Sequence, residues 1–519
     1  MFDALFTTTT EYKKLSHALS GKGACALFGL PASGRAQVYA ALCRQLDKPL
    51  CIVTPGEAEA TRFAADLNTL GIPAAVFPAR DYVLRPIEGT AREYEYRRLA
   101  VLGELVGGRL RAVAVPAEAL TQFTTPKEDF CANTRTLHAG DTLLRDDLLA
   151  ALFGAGYTRR AQVDGPGQFS VRGDIVDIFA PDQKMPVRME FWGDEIDTLH
   201  TFDLTTQRRE DAIDKFYLSP AREVLFGKPA DAAEQLRAFL AKQRGKKKTA
   251  MADCMAADLD LLDGGAVPVN MDKYLAVRYP HPATVLDYFD DPILVAEEPA
   301  SIREADRATA YRRGEELKSL ILDGVLCAGL DNLYADPSYL WSKTGHYRTI
   351  CAENFARSMP YQPLKDIINT PAHTLPAWNG EVAGLLEDLK PLCDAGYTVT
   401  LLAGTDRAAA GLARDLRDKG ILVTTDAAAA PAAGLVQVLA GHLSAGCEFP
   451  FAKYALLTGR AFGETSSQKK KRKKAKDALN SLTEITPGDL VVHQNHGIGR
   501  YAGIQRMAVQ GVTKDYLRI

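Results

Sequence analysis

Strand-like and helix-like segments alternate between residues 24 and 115, and this alternation constrains the fold more than any other feature of the chain. The apolar runs are Ala24–Leu30, Leu50–Thr54, Ala74–Phe77 and Ala112–Val115, and the helical patterns between them are Gln37–Leu46, Glu57–Leu70 and Glu93–Val106. Parallel strands need a crossover connection, which is usually a helix. The alternation therefore predicts a parallel sheet with covering helices.

A glycine-rich loop joins the first of these strands to the first helix. Gly29 and Gly34 keep the spacing of the phosphate-binding loop G-x-x-x-x-G-K-[ST], whose backbone amides cradle phosphates. The lysine position holds Arg35 and the hydroxyl position holds Ala36. Because a methyl group cannot coordinate Mg²⁺, we predict a degenerate loop that hydrolyses no nucleotide. Arg35 is still a cation at the start of a helix, which leaves anion binding open.

Two carboxylates follow a later strand candidate, Ile293–Val295. A working nucleotide motor places acidic residues after such a strand, where they hold the metal and activate the attacking water. Here Glu297 and Glu298 occupy that place, and Pro299 follows them. Because Ala36 removes the metal ligand, we expect this pair to be surface carboxylates at an ordinary strand end.

The composition indicates several domains of a cytoplasmic protein. At 519 residues the chain is long enough for roughly three to five domains. Its formal net charge of −3 gives no global attraction to nucleic acid, so any DNA contact must be local. The nine cysteines form no CxxC or other metal-ligand pattern, and we expect reduced thiols. The first fifteen residues argue against a signal peptide, and no apolar run reaches the roughly 18 residues of a membrane span.

We predict an α/β multidomain fold. It consists of a degenerate P-loop (RecA-like) parallel-sheet domain with an α+β insert, a further α/β domain and a partial small β-barrel at the C-terminus. Short strands with period-two alternation and closely spaced turns distinguish the insert. The expected segments are 1–120 and 207–345 for the two parts of the P-loop domain, 121–206 for the insert, 346–463 for the further domain, 464–483 for a basic linker and 484–519 for the barrel.

Charged and strand-rich segments follow the last α/β pattern. The basic stretch 469–476 begins with Lys469–Lys474, a block of like charge that predicts an extended, solvated tether between domains. A contact to DNA phosphates is the alternative interpretation, and the two are compatible. His493 and His496 have no third ligand nearby, so we interpret them as structural rather than metal-binding. The final strands do not close a barrel, and we expect the domain to continue beyond Ile519.

Two blocks in the insert resemble the second domain of the excision-repair helicase UvrB. They are VRGDIVDIF at Val171–Phe179 and RMEFWGDEID at Arg188–Asp197. The flanking segments Val76–Arg98 and Met271–Asp291 resemble UvrB as well. UvrB clamps damaged DNA with a tyrosine-rich hairpin, whereas the corresponding stretch here, Ala79–Gly89, has a single tyrosine, Tyr82. The resemblance therefore implies a UvrB-like body that lacks both the motor and the clamp.

Later motifs narrow the resemblance to one family. GDLVVH at Gly488–His493 and HGIGRYAGI at His496–Ile504 are similar to the polymerase-interacting domain of the bacterial transcription-repair coupling factors, a small barrel shared with CarD-type regulators. A UvrB-like body followed by such a barrel matches that family in order over essentially the whole chain. The resemblance places the family's translocase, which uses ATP and Mg²⁺, outside this sequence. We therefore expect no cofactor and no enzyme activity in this chain alone.

The resemblance also implies two protein partners and an adaptor function in transcription-coupled DNA repair. In this family the second domain recruits the damage-recognition ATPase UvrA. The barrel docks on the β subunit of RNA polymerase through an exposed strand edge and a nearby apolar residue. Double-stranded DNA is contacted mainly by the missing motor. The implied contacts are Arg159, Arg172, Phe179, Arg188, Glu190 and Asp194 for UvrA, and Ile504, Arg506 and Met507 for the polymerase.

Several alternatives stay open. Phe179 and Met507 have a competing interpretation as core residues, and we interpret Phe191 and Trp192 as core. At the level of function, a divergent UvrB-type damage-binding protein predicts tight nucleotide binding. A CarD-like transcription regulator with an unrelated body predicts a completed barrel. The sequence does not assign a function to the region 346–463.

Overall fold

The chain forms two units, Met1–Gly459 and Arg460–Ile519. The computed structural model describes residues 7–86, 92–359, 362–378, 382–430, 432–459, 488, 490–493, 497–509 and 512–518. The predicted basic linker 464–483 lies outside the described residues. The two units are considered separately below.

A seven-stranded parallel sheet forms the centre of the first unit. In order across the sheet, its strands are Leu364–Asn369, Gly23–Phe28, Arg348–Glu353, Ile293–Glu297, Leu50–Thr54, Ala112–Pro116 and Ala74–Val76. Alternate residues of one central strand enter different hydrophobic clusters, with Cys25 and Leu27 on one face and Ala24, Ala26 and Phe28 on the other. Both faces are therefore buried, as in sheets with helical crossovers. This arrangement confirms the α/β class with a parallel sheet.

Helices cover both faces of this sheet. Ala32–Leu46 and Glu57–Thr69 contribute to the cluster on one face, and Glu93–Val106 and Pro299–Leu322 contribute to the cluster on the other. Pro31 and Pro299 stand at helix starts, where a missing amide hydrogen costs nothing. Shorter helices in the same body are Thr10–Ala18, Ala117–Leu120, Lys127–Ala132, Leu275–Arg278 and Tyr339–Lys343, with 3₁₀ turns at Met271–Tyr274 and Val285–Tyr288.

The first sheet runs past residue 345, where the sequence pattern placed a boundary. Arg348–Glu353 pairs with Gly23–Phe28 on one side and with Ile293–Glu297 on the other. Leu364–Asn369 then adds the edge strand next to Gly23–Phe28. Arg348–Glu353 therefore lies inside the sheet between two parallel neighbours, although both of its ends are charged residues.

The insert contains a six-stranded sheet packed on one helix, Arg145–Gly154. Its strands in order are Arg209–Ala212, Glu195–Phe202, Val187–Trp192, Ile175–Phe179, Gln168–Arg172 and Thr158–Arg159. All neighbouring pairs are antiparallel except the last. A further strand pair, Arg135–His138 with Lys215–Leu218, extends the insert past the predicted boundary at 206.

Helices follow the insert before the chain returns to the first sheet. Pro229–Ala241 and Gly245–Asp263 pack through Leu236, Met251 and Met255. The α/β pattern that the sequence placed after residue 207 therefore resumes only at Ile293–Glu297.

A second mixed sheet occupies the end of the first unit. Its strands in order are His373–Leu375, Gly446–Phe449, Tyr454–Thr458, Thr398–Leu402, Val436–Leu439 and Val423–Thr424. Helices Val382–Asp394 and Asp406–Asp418 cover it through leucines such as Leu385 and Leu412, and a short 3₁₀ turn lies at Pro450–Ala452.

The second unit contains two β-hairpins among its described residues. Leu490–His493 pairs antiparallel with Gly497–Arg500, and Gly503–Val509 pairs antiparallel with Val512–Arg518. Across the described parts of the whole chain, no helix is both long and apolar enough to cross a membrane.

Candidate functional site

The glycine-rich loop folds into the helix earlier than its sequence pattern indicates. The helix begins at Ala32, two residues before Gly34, and Pro31 stands at its N-cap. Gly29 adopts a φ of +87°, which glycine tolerates best. The amide of Arg35 donates a hydrogen bond to the carbonyl of Pro31 at 2.9 Å. At least one amide that a working loop directs at phosphate is therefore used inside the helix.

Arg35 makes ion pairs with both carboxylates at the end of the strand Ile293–Glu297. Its Nε lies 3.0 Å from Glu297 Oε2, and its Nη1 donates to Glu298 Oε1 at 2.9 Å. Tyr39 donates its hydroxyl to the other oxygen of Glu297 at 2.5 Å. Glu297 is only 1% exposed, so the expectation that both carboxylates lie on the surface was wrong. The sequence contained a signal for this pairing. Arg35 stands at the lysine position of the glycine-rich loop, and Glu297 and Glu298 stand at the acidic position after a later strand, and these two positions lie close together in nucleotide motors.

This charge cluster is desolvated. Burial raises the pKa of Glu297, although Arg35 and Tyr39 act in the opposite direction. Burial of two opposite charges is costly unless each is paired and hydrogen-bonded. An anion at this position would have to compete with the two carboxylates for the Arg35 guanidinium.

The second sheet covers the start of the same helix. Ser33 Oγ donates to the carbonyl of Gly446 at 3.4 Å. A Cβ atom on Gly34 would lie 2.9 Å from Cys447 Sγ and 3.3 Å from the ring of Phe449. A side chain at this position would therefore require Cys447 to shift, so Gly34 allows the close approach of strand to helix. Ser33, Arg35 and the intervening backbone are enclosed between the two sheets.

Polar side chains of the insert gather on the face of its sheet that lies opposite the hydrophobic core. We call this the outer face. Residues directly opposite in antiparallel strands share a face. Arg172 is opposite Ile175, which is opposite Glu190, and in the next row Asp177 is opposite Arg188. The sheet therefore brings Arg172, Phe179, Arg188 and Glu190 to one face, whereas Arg159 and Asp194 lie on its margins.

The six predicted UvrA contacts differ in exposure. Arg159, Arg172 and Asp194 are exposed. Arg188 has a side chain only 12% exposed, forms a hydrogen-bonded ion pair with Asp177 and stacks over Phe202. Phe179 packs in a small cluster with Val163 and Phe202, and Glu190 is ion-paired with Arg209. The buried members shape the outer face, and the exposed members are the ones available for contact.

Trp192 is the residue that sequence reasoning misplaced. We assigned it to the core, but it is 82% exposed, whereas its neighbour Phe191 is buried at 6%. The period-two pattern contained the answer: Val187, Met189 and Phe191 enter the core cluster, so Trp192 falls on the polar side of the strand. It stands on the outer face beside the turn that contains Asp194.

The predicted polymerase contacts lie on one described strand of the second unit. Ile504, Arg506 and Met507 belong to Gly503–Val509, whose register pairs Ile504 with Leu517 and Met507 with Lys514. Their side chains lie outside the description. Among the described strands, this one pairs with a single neighbour.

Metal binding finds no support in the geometry. No group of three or more histidine, cysteine or carboxylate side chains in the described part of the chain could hold an ion. His496 lies outside that part.

Two family models match separate parts of the chain. The model described as the UvrB interaction domain matches residues 136–224, and the CarD-like/TRCF RID domain matches residues 485–519. The first match coincides with the sheet and helix of the insert. The second covers both terminal hairpins.

Curated relatives are similar to nearly the whole chain. Proteins named transcription-repair-coupling factor from Bacillus subtilis (strain 168), Staphylococcus haemolyticus (strain JCSC1435) and Staphylococcus aureus (strain MRSA252) are 27%, 26% and 24% identical, each over 95% of this chain. The chain spans 43% of the length of each of these relatives. Together with the two family models, they confirm the resemblance that the sequence motifs predicted.

Proposed function

We propose that this chain, which is similar to transcription-repair-coupling factors over 95% of its length, is an adaptor in transcription-coupled DNA repair. One part of it recruits UvrA and another part binds stalled RNA polymerase. The observation that carries the proposal is the closed cluster of Arg35, Glu297 and Glu298, where a motor would hold its nucleotide. A body that keeps the sheet but fills its nucleotide cradle with its own side chains is suited to connecting partners rather than to hydrolysis.

The first sheet domain is, in this proposal, a degenerate P-loop domain of the RecA-like type. Ala36 supplies no metal ligand, Arg35 is paired with carboxylates, and strand Gly446–Phe449 packs against Ser33 and Gly34. Each of these three features opposes nucleotide binding independently. The chain accordingly needs neither ATP nor Mg²⁺ for its own function, and translocation on DNA belongs to the longer proteins that it resembles.

The outer face of the insert is the proposed UvrA docking surface. Exposed Arg172 and Asp194 offer charged contacts, and Trp192 offers a large aromatic surface on the same face as Arg172 and two residues before Asp194. Interface energy concentrates in such aromatic and arginine residues. Arg188, Phe179 and Glu190 support the face through internal contacts. We therefore expect exposed Arg172 and Trp192 to contact UvrA directly, and the less exposed Arg188, Phe179 and Glu190 to support them.

The terminal hairpins are proposed to form part of a small barrel that binds the polymerase β subunit. Strand Gly503–Val509 has one paired neighbour among the described strands, and strand addition is the proposed mode of contact with the polymerase. Ile504, Arg506 and Met507 are the proposed contacts on that strand. The bacterial cytoplasm, where both partners act, is the proposed location.

Capture experiments test the adaptor function. The full chain, immobilised, is expected to retain purified UvrA and, separately, RNA polymerase. Arg172→Glu is expected to weaken UvrA retention at least tenfold and to leave polymerase retention unchanged. Arg417→Glu, an equally exposed charge reversal in the second sheet region, is the matched control. Failure of the folded wild-type chain to retain UvrA contradicts the proposal.

The two other functions receive less support. A divergent UvrB-type damage-binding protein requires an accessible nucleotide site, which the paired Arg35 opposes. A free-standing CarD-like regulator would share only the terminal segment with its relatives, whereas the similarity here covers 95% of the chain.

A further inference from the structure

A cavity of about 440 Å³ lies beside the helix Pro299–Leu322, away from the glycine-rich loop and from the outer face. Asp306, Arg313 and Leu317 of that helix line one side of it. Asp331, Tyr334 and Asp336 of the following loop line the other side. Three of these six side chains are carboxylates and one is a cation.

The single cation in that lining is already engaged. Arg313 donates through Nη1 to Thr121 Oγ1 and through Nη2 to the carbonyl of Glu118, both at 2.8 Å. Its guanidinium also stacks over the ring of Tyr334 at 4.0 Å from the centroid. These contacts hold Arg313 in the cavity wall, where it forms no hydrogen-bonded pair with Asp306 among the described contacts.

Two of the three carboxylates are engaged as well. Asp331 accepts a hydrogen bond from the amide of Gly329 at 2.8 Å. Asp336 accepts from the amide and the hydroxyl of Ser338 at 2.8 and 2.6 Å. Both act as local caps of the loop, and both still add negative charge to the cavity.

Asp306 is different. Asp306 is only 7% exposed and lines the cavity, and within the described part of the chain its carboxylate has no hydrogen-bond or ion-pair partner. Burial raises its pKa to about 6, although Arg313 and Arg303 act to lower it. The carboxylate is thus mainly ionised at pH 7.5. Its oxygens are not among the fully enclosed unpaired atoms of the described residues, so they face the cavity that Asp306 lines. A carboxylate in such a partly desolvated place gains from a cationic or hydrogen-bonding partner.

We propose that this cavity binds a small organic cation, an alkylguanidinium or alkylammonium group, with Asp306 as its counter-ion. Leu317 provides an apolar wall for the alkyl chain, and Asp331 and Asp336 add negative potential from the opposite side. An organic cation fits better than a metal ion, since no metal-holding group of side chains exists among the described residues. The site is separate from the proposed adaptor surfaces and does not depend on them.

Isothermal titration calorimetry of the full chain tests this site with n-butylguanidinium, n-butylammonium and the neutral isostere n-butylurea. At pH 7.5 we expect one of the two cations to bind saturably, and n-butylurea to bind at least tenfold more weakly. Asp306→Asn is expected to lose at least tenfold in affinity. Glu304→Gln, an exposed carboxylate on the same helix, removes the same charge and is expected to bind like the wild type.

Folding and pH provide two further readouts. Asparagine is isosteric with Asp306 and removes a buried unpaired charge, so the variant should keep its melting temperature or raise it. Affinity should fall as pH is lowered from 7.5 to 5, because the pKa of Asp306 is about 6 and protonation neutralises its carboxylate, whereas Tyr334, whose pKa burial raises to about 12, stays neutral. Asp331 and Asp336 keep their local hydrogen-bond donors over that range. Affinity that stays constant over this range contradicts the role of Asp306.

One additional ligand separates two sources of the same chemistry. Nα-acetyl-arginine methylamide carries the guanidinium on a peptide-like backbone. If it binds as well as n-butylguanidinium, the site accepts an arginine side chain of a polypeptide; if it is excluded, the site is for a free small cation. Absence of binding by every cation, or equal binding by Asp306→Asn, overturns the proposal.

Discussion

Arg35 occupies the position at which a phosphate-binding loop carries its lysine, yet its guanidinium is turned toward Glu297 and Glu298 of the same chain. A planar guanidinium can contact two carboxylates at once, which an ammonium does less well. Asp306 is the opposite case, an ionised side chain that the fold leaves without a partner among the described residues. Arg35 is ion-paired with two carboxylates, whereas Asp306 has no ion pair or hydrogen bond among the described residues. That difference is the physical reason for treating one as structural and the other as a ligand site.

Replacement of Arg35 by methionine should destabilise the chain. Arg35→Met keeps much of the volume but leaves two carboxylates without their cation, and breaking such a buried pair costs about 3 kcal/mol. Because the folded-state pKa of Glu297 is raised, the folded state takes up a proton more readily than the unfolded state. The loss of folding stability in Arg35→Met should therefore be largest at pH 7.5. It should be smaller near pH 5, where protonation of Glu297 removes the unpaired buried charge.

Urea denaturation at the two pH values measures this change. Arg414→Met, on the exposed side of helix Asp406–Asp418, is the control and should change the free energy of unfolding by less than about 0.5 kcal/mol. An equal effect of both substitutions would contradict the structural role of Arg35.

At the scale of single elements, the insert sheet separates support from contact by strand alternation. Val187–Trp192 sends every second side chain into the core and the others to the outer face. This pattern is local, so the sequence predicted the strand itself and could have predicted both faces. The prediction of a buried Trp192 was wrong because a large apolar side chain usually indicates burial, whereas the two-residue alternation of the strand places Trp192 on the outer face. An aromatic residue that continues a polar row is better read as an exposed contact.

Neighbouring substitutions on this strand should have opposite effects. Phe191→Ala removes a buried ring and should cost about 3 to 5 kcal/mol of stability. Trp192→Ala should change stability by less than about 0.5 kcal/mol, because the side chain is exposed, but should weaken UvrA capture at least tenfold, as for a binding hot spot of about 1.4 kcal/mol or more. Thermal melts and biolayer interferometry on the same samples give both quantities. Unchanged capture by Trp192→Ala would remove Trp192 from the proposed docking surface.

The contact between helix Ala32–Leu46 and strand Gly446–Phe449 gives a second prediction at this scale. Gly34→Ala gains up to about 1 kcal/mol of helix propensity but places a methyl against Cys447, and overpacking costs about 1 to 3 kcal/mol. The net effect should be destabilising. With Cys447→Ala as a partner substitution, the tightest contact is relieved and the ring of Phe449 at 3.3 Å is left as a neighbour, so Gly34→Ala should cost less stability than in the wild type.

A double-mutant cycle by chemical denaturation measures this coupling. Gly411→Ala, in a helix where the added methyl meets no atom within 4 Å, is the control and should stabilise the chain with or without Cys447→Ala. Additive effects of Gly34→Ala and Cys447→Ala would show that strand and helix do not press on each other at this point.

At the scale of the whole molecule, the sequence predicted local elements well and their long-range assembly poorly. The alternation between 24 and 115 gave four parallel strands, and the glycine motif gave the loop between the first strand and helix. Strand Arg348–Glu353 joins that sheet from more than 300 residues along the chain, as its register with Gly23–Phe28 shows. Neither this strand pairing nor the hydrogen bond from Ser33 to the carbonyl of Gly446 is indicated by the residues next to it in the sequence. Such contacts are set by packing over large sequence separations, which propensity and periodicity do not report.

Titration of Mg-ATP into the full chain by isothermal calorimetry tests the central claim most directly, with capture of UvrA by the same preparation as evidence that the protein is folded. The account predicts no saturable heat up to millimolar nucleotide and no release of phosphate, because Arg35 is held by Glu297 and Glu298 and the start of its helix is covered. Saturable binding that Arg35→Met abolishes, accompanied by steady phosphate release, would contradict it.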